Sequence, residues 1–364
     1  MAEATQTKTT IAIDPVTRIE GHLKAEVVVE NGKVVDAKLT GGMYRGFESI
    51  LRGRHPRDAA QIVQRICGVC PTAHATAASI ALEKASGTAV PSNGRATRNL
   101  ILGANYLQSH ILHFYHLAGQ DFIQGPDTAP FMPRYAKPDL RLPPAINAVG
   151  VDQYVEALEV RAVCHEMVAL FGGRMPHVHG ILAGGAAEIP TKEKLVEYAA
   201  RFKKVRKFVE EKYLPVVYLV GSQYKDLGAF GQGYRNALCV GVFPLDDEGK
   251  EFVFKAGAYQ DGKDMPFDVK RVTEDVKFSW FADSTSGKPF TKGENVLEVD
   301  KKGAYSFVKA PLYNGKPMEV GPLARMWVNN KPISPIGQKL FKEYFGLDVK
   351  NFRDMGEDLA FSLL

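Results

Sequence analysis

The stretch Arg65-Ile66-Cys67-Gly68-Val69-Cys70-Pro71-Thr72-Ala73-His74 holds the side chains best suited to chemistry. Two cysteines three positions apart can turn both sulfurs toward one ion, and thiolates select soft metals such as nickel, zinc, copper(I) or iron in clusters. The same spacing suits half of a zinc site, a redox pair or two buried thiols, and spacing alone does not choose among them. A thioredoxin-like pair follows a strand and opens a helix. Here Cys67 follows a helical pattern and Pro71 comes directly after Cys70, which weakens the redox reading. A structural zinc site needs a second pair of ligands, and only Cys164, Cys239 and His177-Val178-His179 could supply one.

Other polar residues are less telling. Glu20, between Ile19 and Gly21, caps a strand edge or pairs with Arg18 on its local sequence alone, and Glu48 reads as a solvated charge at a helix end. His110, His113 and His116 drift around a helix by about 60° at each step, so they fan out into packing and hydrogen-bonding positions and form no tight metal face. Lone cysteines are small buried hydrophobes more often than ligands, and Cys164 and Cys239 take no role.

The elements that must carry the cysteine pair follow from periodicity. Residues 9–41 alternate apolar and polar, and Asn31-Gly32 joins His22–Glu30 to Lys33–Leu39 as a hairpin. Asp58–Cys67 is expected to be helical, Pro71 to break the helix, and His74–Lys84 to resume it, so the pair sits at a helix break. A core helix over Asn99–Tyr115 buries Leu100, Ala104, Leu107, Ile111 and Tyr115. Another starts at Asp152, with Val155, Leu158, Ala162 and Leu170 inward and Gly172-Gly173 as its stop. A further helix from Thr191 turns Leu195, Ala199, Phe202, Val205 and Val209 inward and ends before Pro215. Residues 220–332 read as loops and short strands, Gln338–Tyr344 as helix, and Glu357–Leu364 as a helix without a stop signal.

The expected fold is therefore mainly α with a small N-terminal antiparallel β-sheet, an α+β chain around a long-helix bundle whose facing side chains build the site. We read residues 1–364 as one incomplete domain: a β-rich segment (1–50), a helical core with the cysteine pair (51–219), a wrap of loops and short strands (220–334) and a helical end (335–364).

Composition narrows the class. With 45% hydrophobic residues the chain can bury a sizeable core, and a net charge of +5 without a basic block argues against nucleic acid as a partner. No apolar run reaches the roughly 18 residues that cross a bilayer, and Met1–Thr10 lack the apolar stretch of a signal peptide. Four cysteines are too few and too uneven for a disulfide framework.

Arg-x-Cys-Gly-x-Cys-x-x-x-His, with Asp14-Pro15-Val16-Thr17-Arg18-Ile19-Glu20-Gly21-His22 upstream, resembles the N-terminal signatures of nickel–iron hydrogenase large subunits. Arg45-Gly46-Phe47-Glu48, His113-Phe114-Tyr115-His116 with Asp121, Gly173-Arg174-Met175-Pro176-His177, Lys309-Ala310-Pro311 and Glu319-Val320-Gly321-Pro322-Leu323-Ala324 follow in family order. The resemblance covers essentially the whole chain and is strongest to the periplasmic selenium-containing subgroup. His179 departs from it, standing where an amide residue is usual.

By position, the resemblance implies that Cys67 is a terminal nickel ligand and that Cys70 bridges nickel and an iron carrying carbon monoxide and cyanide. It also implies that Glu20 accepts the proton released from H2, that Glu48 holds a magnesium-type ion, that His74 tunes a cysteine sulfur, and that Asp121 is an electrostatic partner near the metals. The implied partners are an obligate small subunit with iron–sulfur clusters and, through it, a cytochrome c-type carrier. Export with that subunit implies a periplasmic address, with a cytoplasmic relative as the alternative. The family's second ligand pair, Asp-Pro-Cys-x-x-Cys or its selenocysteine counterpart, has no match here. On this reading the chain is truncated and inactive alone; the rival readings are a catalytically silent scaffold and a zinc- or redox-type C-x-x-C protein.

Overall fold

A computed structural model of the chain describes residues 8–133, 138–247, 249–292 and 294–363. Residues 1–7 of the N-terminal stretch, and Leu364 at the end of the expected last helix, lie outside the described residues. The chain divides into two compact units, one of residues 1–49 with 268–318, the other of residues 50–267 with 319–364.

The first unit is built on three antiparallel strands, β1 (Lys8–Val16), β2 (Leu23–Glu30) and β3 (Lys33–Gly41), in the order β1-β2-β3. The hairpin read from the sequence is present: Asn31 and Gly32 both have positive φ, as the tight turn between twisted strands requires. Pairing of Ile11 with Val27 and Ala25 with Leu39 sets the register. Residues 268–318 return to this sheet, where Phe307 N–H donates to the Gly41 carbonyl (2.9 Å) and Tyr44 stacks on Phe307. Strands Val272–Asp275 and Ala310–Tyr313 pair antiparallel. Within that pair Lys309 bonds Glu274 at 2.8 Å and lies over the Phe281 ring. The short helix α1 (Phe47–Leu51) begins at the end of this unit.

The second unit is helical. A 3-10 turn, helix α2 (Ala59–Ile62) and a second 3-10 turn (Val63–Ile66) lead into Cys67, whose backbone is extended. Helix α3 (Pro71–Ser86) follows at once. Pro71 therefore starts a helix and does not break one, the preceding helical stretch having ended at Ile66, because proline's fixed φ and missing N–H suit the first helical turn. The long helices α4 (Ser92–Leu112), α5 (Pro144–Gly172) and α6 (Lys192–Phe208) pack in succession. Thr191 caps α6 by accepting from Lys194 N–H at 3.3 Å, and Gly173, at φ +83, ends α5.

Four helix expectations need correction. Helix α5 starts at Pro144, eight residues before Asp152, and Gly150 sits inside it against Ile123 where a larger residue would collide. Its inward face is also different: Val155, Leu158 and Ala162 are exposed, while Ala157, Val160, Cys164, Met167, Val168 and Phe171 fill the core. Small residues at 157 and 164 let α5 approach its neighbours closely, which an apolar-stripe reading does not register. On α6, Leu195, Ala199 and Phe202 are exposed, and Val205 and Phe208 carry the packing. Pro215 does not end the helical run, since a π-helical turn (Val209–Tyr213) carries the chain into α7 (Leu214–Gln223). Fully burying a side chain the size of Met167 or Phe171 stabilises by about 1.5–3 kcal/mol.

A second core in this unit gathers Ala237, Tyr259, Ala324, Trp327, Phe341, Phe352 and Phe361. It lies among a three-stranded sheet (Ala237–Cys239, Gly257–Gln260, Lys263–Met265) and helices α8 (Pro322–Asn329), α9 (Pro335–Phe345) and α10 (Glu357–Leu363). Among the described residues no helix is long and apolar enough to cross a membrane.

Candidate metal centre

The loop from Cys67 to Cys70 turns the chain between two helical stretches. Cys67 N–H donates to the Gln64 carbonyl (3.3 Å), and Cys70 becomes the N-cap of α3, its carbonyl accepting from Ala73 N–H (3.1 Å) and His74 N–H (3.5 Å). Both cysteines are outside any disulfide. The loop brings them together: Cys70 N–H donates to Cys67 Sγ at 3.2 Å, Cys67 is buried and Cys70 half-buried. Two sulfurs presented side by side at the head of a 16-residue helix suit a soft cation. Among the described residues, however, no group of three or more His, Cys, Asp or Glu side chains converges on one point. The pair offers a metal two sulfurs.

The shell behind the pair is polar and buried. Gln64, fully buried, donates through Nε2 to the carbonyls of Ala60 and Val178, both at 2.9 Å, and Gln61 donates to Val178 at 3.2 Å. Thr72 reaches Met175 Sδ at 3.9 Å, and Arg174 donates to the His177 carbonyl at 2.8 Å. The motif Gly173–His177, far away in sequence, is thereby fixed behind the cysteine loop. Asn105 on α4 donates to the Val69 carbonyl inside that loop at 3.4 Å. Sequence reading passed over Gln64, Asn105 and Gln108, because amides on a helix are ordinarily assigned to its wet face; they stand in the same heptads as the apolar core, which was the available signal.

The remaining expected residues are placed as follows. His74 lies in the first turns of α3, half-buried, and burial lowers its pKa, so the ring is neutral at neutral pH. Asp121 closes a 3-10 turn (Gly119–Asp121) beyond α4 and a π-helical stretch (His113–Ala118), and it is exposed. His116 packs edge-on against Tyr154 and shares a 3.2 Å hydrogen bond with its carbonyl, the packing role expected of it. Glu20 is on the bend between β1 and β2 and Glu48 in the first turn of α1, both exposed and both in the first unit. Cys164 is fully buried and its thiol is pushed up to about 12 by burial, consistent with a packing role.

Known proteins decide the family. A family model described as nickel-dependent hydrogenase matches residues 45–126 and 120–350, and one described as HoxL-like matches residues 10–40. The periplasmic [NiFeSe] hydrogenase large subunit of Desulfomicrobium baculatum is 60% identical over 98% of this chain and 71% of its own length. The chain belongs to the nickel-dependent hydrogenase large subunits. The hydrogenase-2 large chain of Escherichia coli is a more distant member, 33% identical over 87% of this chain and 67% of that one. The Ni-Fe-Se hydrogenase of D. vulgaris Hildenborough, solved in its reduced state, superposes with a TM-score of 0.95 at 70% identity, covering 98% of this chain and 74% of that one. The hydrogenase large-subunit fold, α+β with small antiparallel sheets, is thus established for this chain, and the chain is an enzyme subunit of that class.

Proposed function

We propose that Cys67 and Cys70 are two of the thiolates that hold a nickel–iron centre, in a hydrogenase that interconverts H2 with protons and electrons. The observation that carries this reading is the paired geometry at the head of α3: two cysteines outside any disulfide, one N–H aimed at the Cys67 sulfur, and a buried amide shell behind them. When bound, a nickel–iron centre with carbon monoxide and cyanide on its iron supplies heterolytic cleavage of H2.

This chain's own residues do the rest. Cys67, buried, would hold nickel as a terminal ligand, and Cys70, half-buried, would help hold both nickel and iron. His74, neutral because burial disfavours its charged form, tunes a neighbouring sulfur without adding a positive charge. The Glu20 carboxylate takes up the released proton and passes it toward water. The hard carboxylate oxygens of Glu48 suit a magnesium-type ion, and Asp121 adds negative charge as an electrostatic and hydrogen-bonding partner. Electrons leave through an iron–sulfur small subunit to a cytochrome c-type carrier, and the address is the periplasm, in keeping with the D. baculatum relative's name. The 364 residues contain one Cys-x-x-Cys pair, which offers such a centre two of its thiolates.

The test is nickel and iron analysis of the hydrogenase carrying this chain, with and without Cys70→Ser. Loss of both metals in the variant is expected. Full occupancy would remove Cys70 from the bridging position.

A further inference from the structure

Among buried polar groups in the helical unit, one arrangement links α4 to the thiolate pair through a single peptide bond. The Val69 carbonyl accepts from Asn105 Nδ2 at 3.4 Å, and the N–H of that same peptide, on Cys70, donates to Cys67 Sγ at 3.2 Å. Asn105 is 2% exposed and its neighbour Gln108 is fully buried, in a helix that otherwise turns Ile101, Ala104 and Ile111 to the core. Asn105 Nδ2 also faces Gln108 Oε1 (3.1 Å) and Ser109 Oγ (3.2 Å). Asn105 Oδ1 and Gln108 Nε2 are buried with no hydrogen-bond partner among the described residues. Placing two amides in an apolar helix interior and leaving an atom of each unsatisfied works against folding, and packing alone offers nothing to offset it.

We infer that Asn105 is a positioning residue for the thiolate pair: it grips the Val69–Cys70 peptide by its carbonyl and thereby aims the Cys70 N–H at the Cys67 sulfur. A hydrogen bond accepted at a carbonyl polarises the whole amide, and the N–H at its other end becomes a better donor by roughly 10–30%. A better donor draws more electron density from the sulfur it faces, and sulfur that gives less density to a metal raises that metal's reduction potential. The significance of this relay rests on the reading of Cys67 as a metal ligand, whereas its geometry does not. Asn105 Nδ2 has two hydrogens for three acceptors, with Val69 the most distant, so Ser109 and Gln108 compete with the relay.

That competition gives a test with a sign. In the metal-free chain labelled with 15N-cysteine, the four cysteine amides are read together, and Cys70→Ser identifies the relevant one. Asn105→Leu keeps the volume and removes the donor; it is expected to speed hydrogen exchange at the Cys70 amide about fivefold, the loss of one net hydrogen bond. The amides of Cys164, within α5, and Cys239, within a strand, are expected to stay unchanged. Ser109→Ala removes a competitor and is expected to slow exchange at Cys70. The inference is overturned if Cys70 is unmoved in both variants, if all four amides change together, or if Ser109→Ala accelerates exchange as Asn105→Leu does. Should Asn105→Leu fail to fold, the sign in Ser109→Ala decides. In the nickel-loaded hydrogenase, Asn105→Leu is expected to lower the nickel midpoint potential, and an unchanged potential overturns the relay's effect on the metal. The metal-free arm stands apart from nickel uptake by the wild-type chain, so failure of the relay and failure of the metal reading give different results.

Discussion

Glu83 and Arg98 form a buried ion pair in the helical unit, and cutting it is predicted to loosen the helix that carries the cysteine loop. Arg98 Nη2 lies 2.6 Å from Glu83 Oε1 and Nη1 lies 3.2 Å from Oε2, a two-pronged contact between side chains only 8% and 9% exposed. The guanidinium also donates to the carbonyls of Leu182 (2.7 Å) and Gly185 (3.1 Å), and Glu83 accepts from Gly184 N–H (2.8 Å). Helices α3 and α4 and the Ile181–Ala186 turn therefore meet at one charge pair. At 2.6 Å and an effective dielectric near 20, the gross attraction is about 6 kcal/mol. Glu83→Gln removes that attraction and strands a buried cation, while the two carbonyls still solvate it, so a loss of about 3–5 kcal/mol is expected. Urea unfolding of the helical unit, followed by circular dichroism, measures it as a lower midpoint with an unchanged slope. The double variant Glu83→Gln/Arg98→Met removes the stranded charge and is expected to recover part of the loss. A Glu83→Gln cost below about 1 kcal/mol, the range of exposed pairs, would refute the reasoning, as would a double variant no better than the single one.

Three further outcomes are expected. Glu20→Gln in the assembled hydrogenase is predicted to keep nickel and iron content and to cut H2 turnover by about 10²–10⁴, the contribution of a positioned proton acceptor; unchanged turnover would remove Glu20 from the mechanism. Burial lowers the pKa values of His74, His110, His116, His165 and His177. The unfolded chain then binds protons before the folded one as pH falls through about 6.5, so stability is held above that pH and lost below it. Melting temperatures at pH 7.5 and 5.5 check this, and a higher value at the lower pH would contradict it. Gly180→Ala would set a Cβ 2.3 Å from the Phe171 carbonyl oxygen and 2.9 Å from Gly172 Cα. Because that neighbour is backbone, about 1–3 kcal/mol of stability should be lost, and a neutral result in thermal unfolding would show that the loop behind the cysteine pair yields freely.

Local signals in the sequence carried much of this structure. Asn31-Gly32 marked the hairpin, Thr191 and Gly173 bounded helices, and the C-x-x-C run before Pro71 located the thiols, because each of these depends on the chemistry of a few adjacent residues. Features decided at a distance were not legible. The buried face of α5 is set by small residues such as Ala157 and Cys164 that allow close helix approach, and the larger Val155 and Leu158 were taken for core while lying in water. The two π-helical turns, at 113–118 and 209–213, leave no mark in a period of 3.6 residues. Residues 268–318 join the N-terminal sheet through Ser306 and Phe307, contacts more than 260 positions away that no window spans. At the site, residue type and spacing left a soft metal open beside a redox pair and buried thiols, family motifs supplied nickel and iron, and the amide shell of Gln64 and Asn105 became visible only in three dimensions.

Nickel K-edge X-ray absorption of the nickel-loaded protein, compared with its Cys67→Ser/Cys70→Ser variant, addresses the thiolate pair most directly. The account predicts sulfur scatterers in the first shell of the wild-type ion and no bound nickel left to absorb in the variant. A shell of nitrogen and oxygen alone, or a sulfur signal equally strong without these two cysteines, would contradict it.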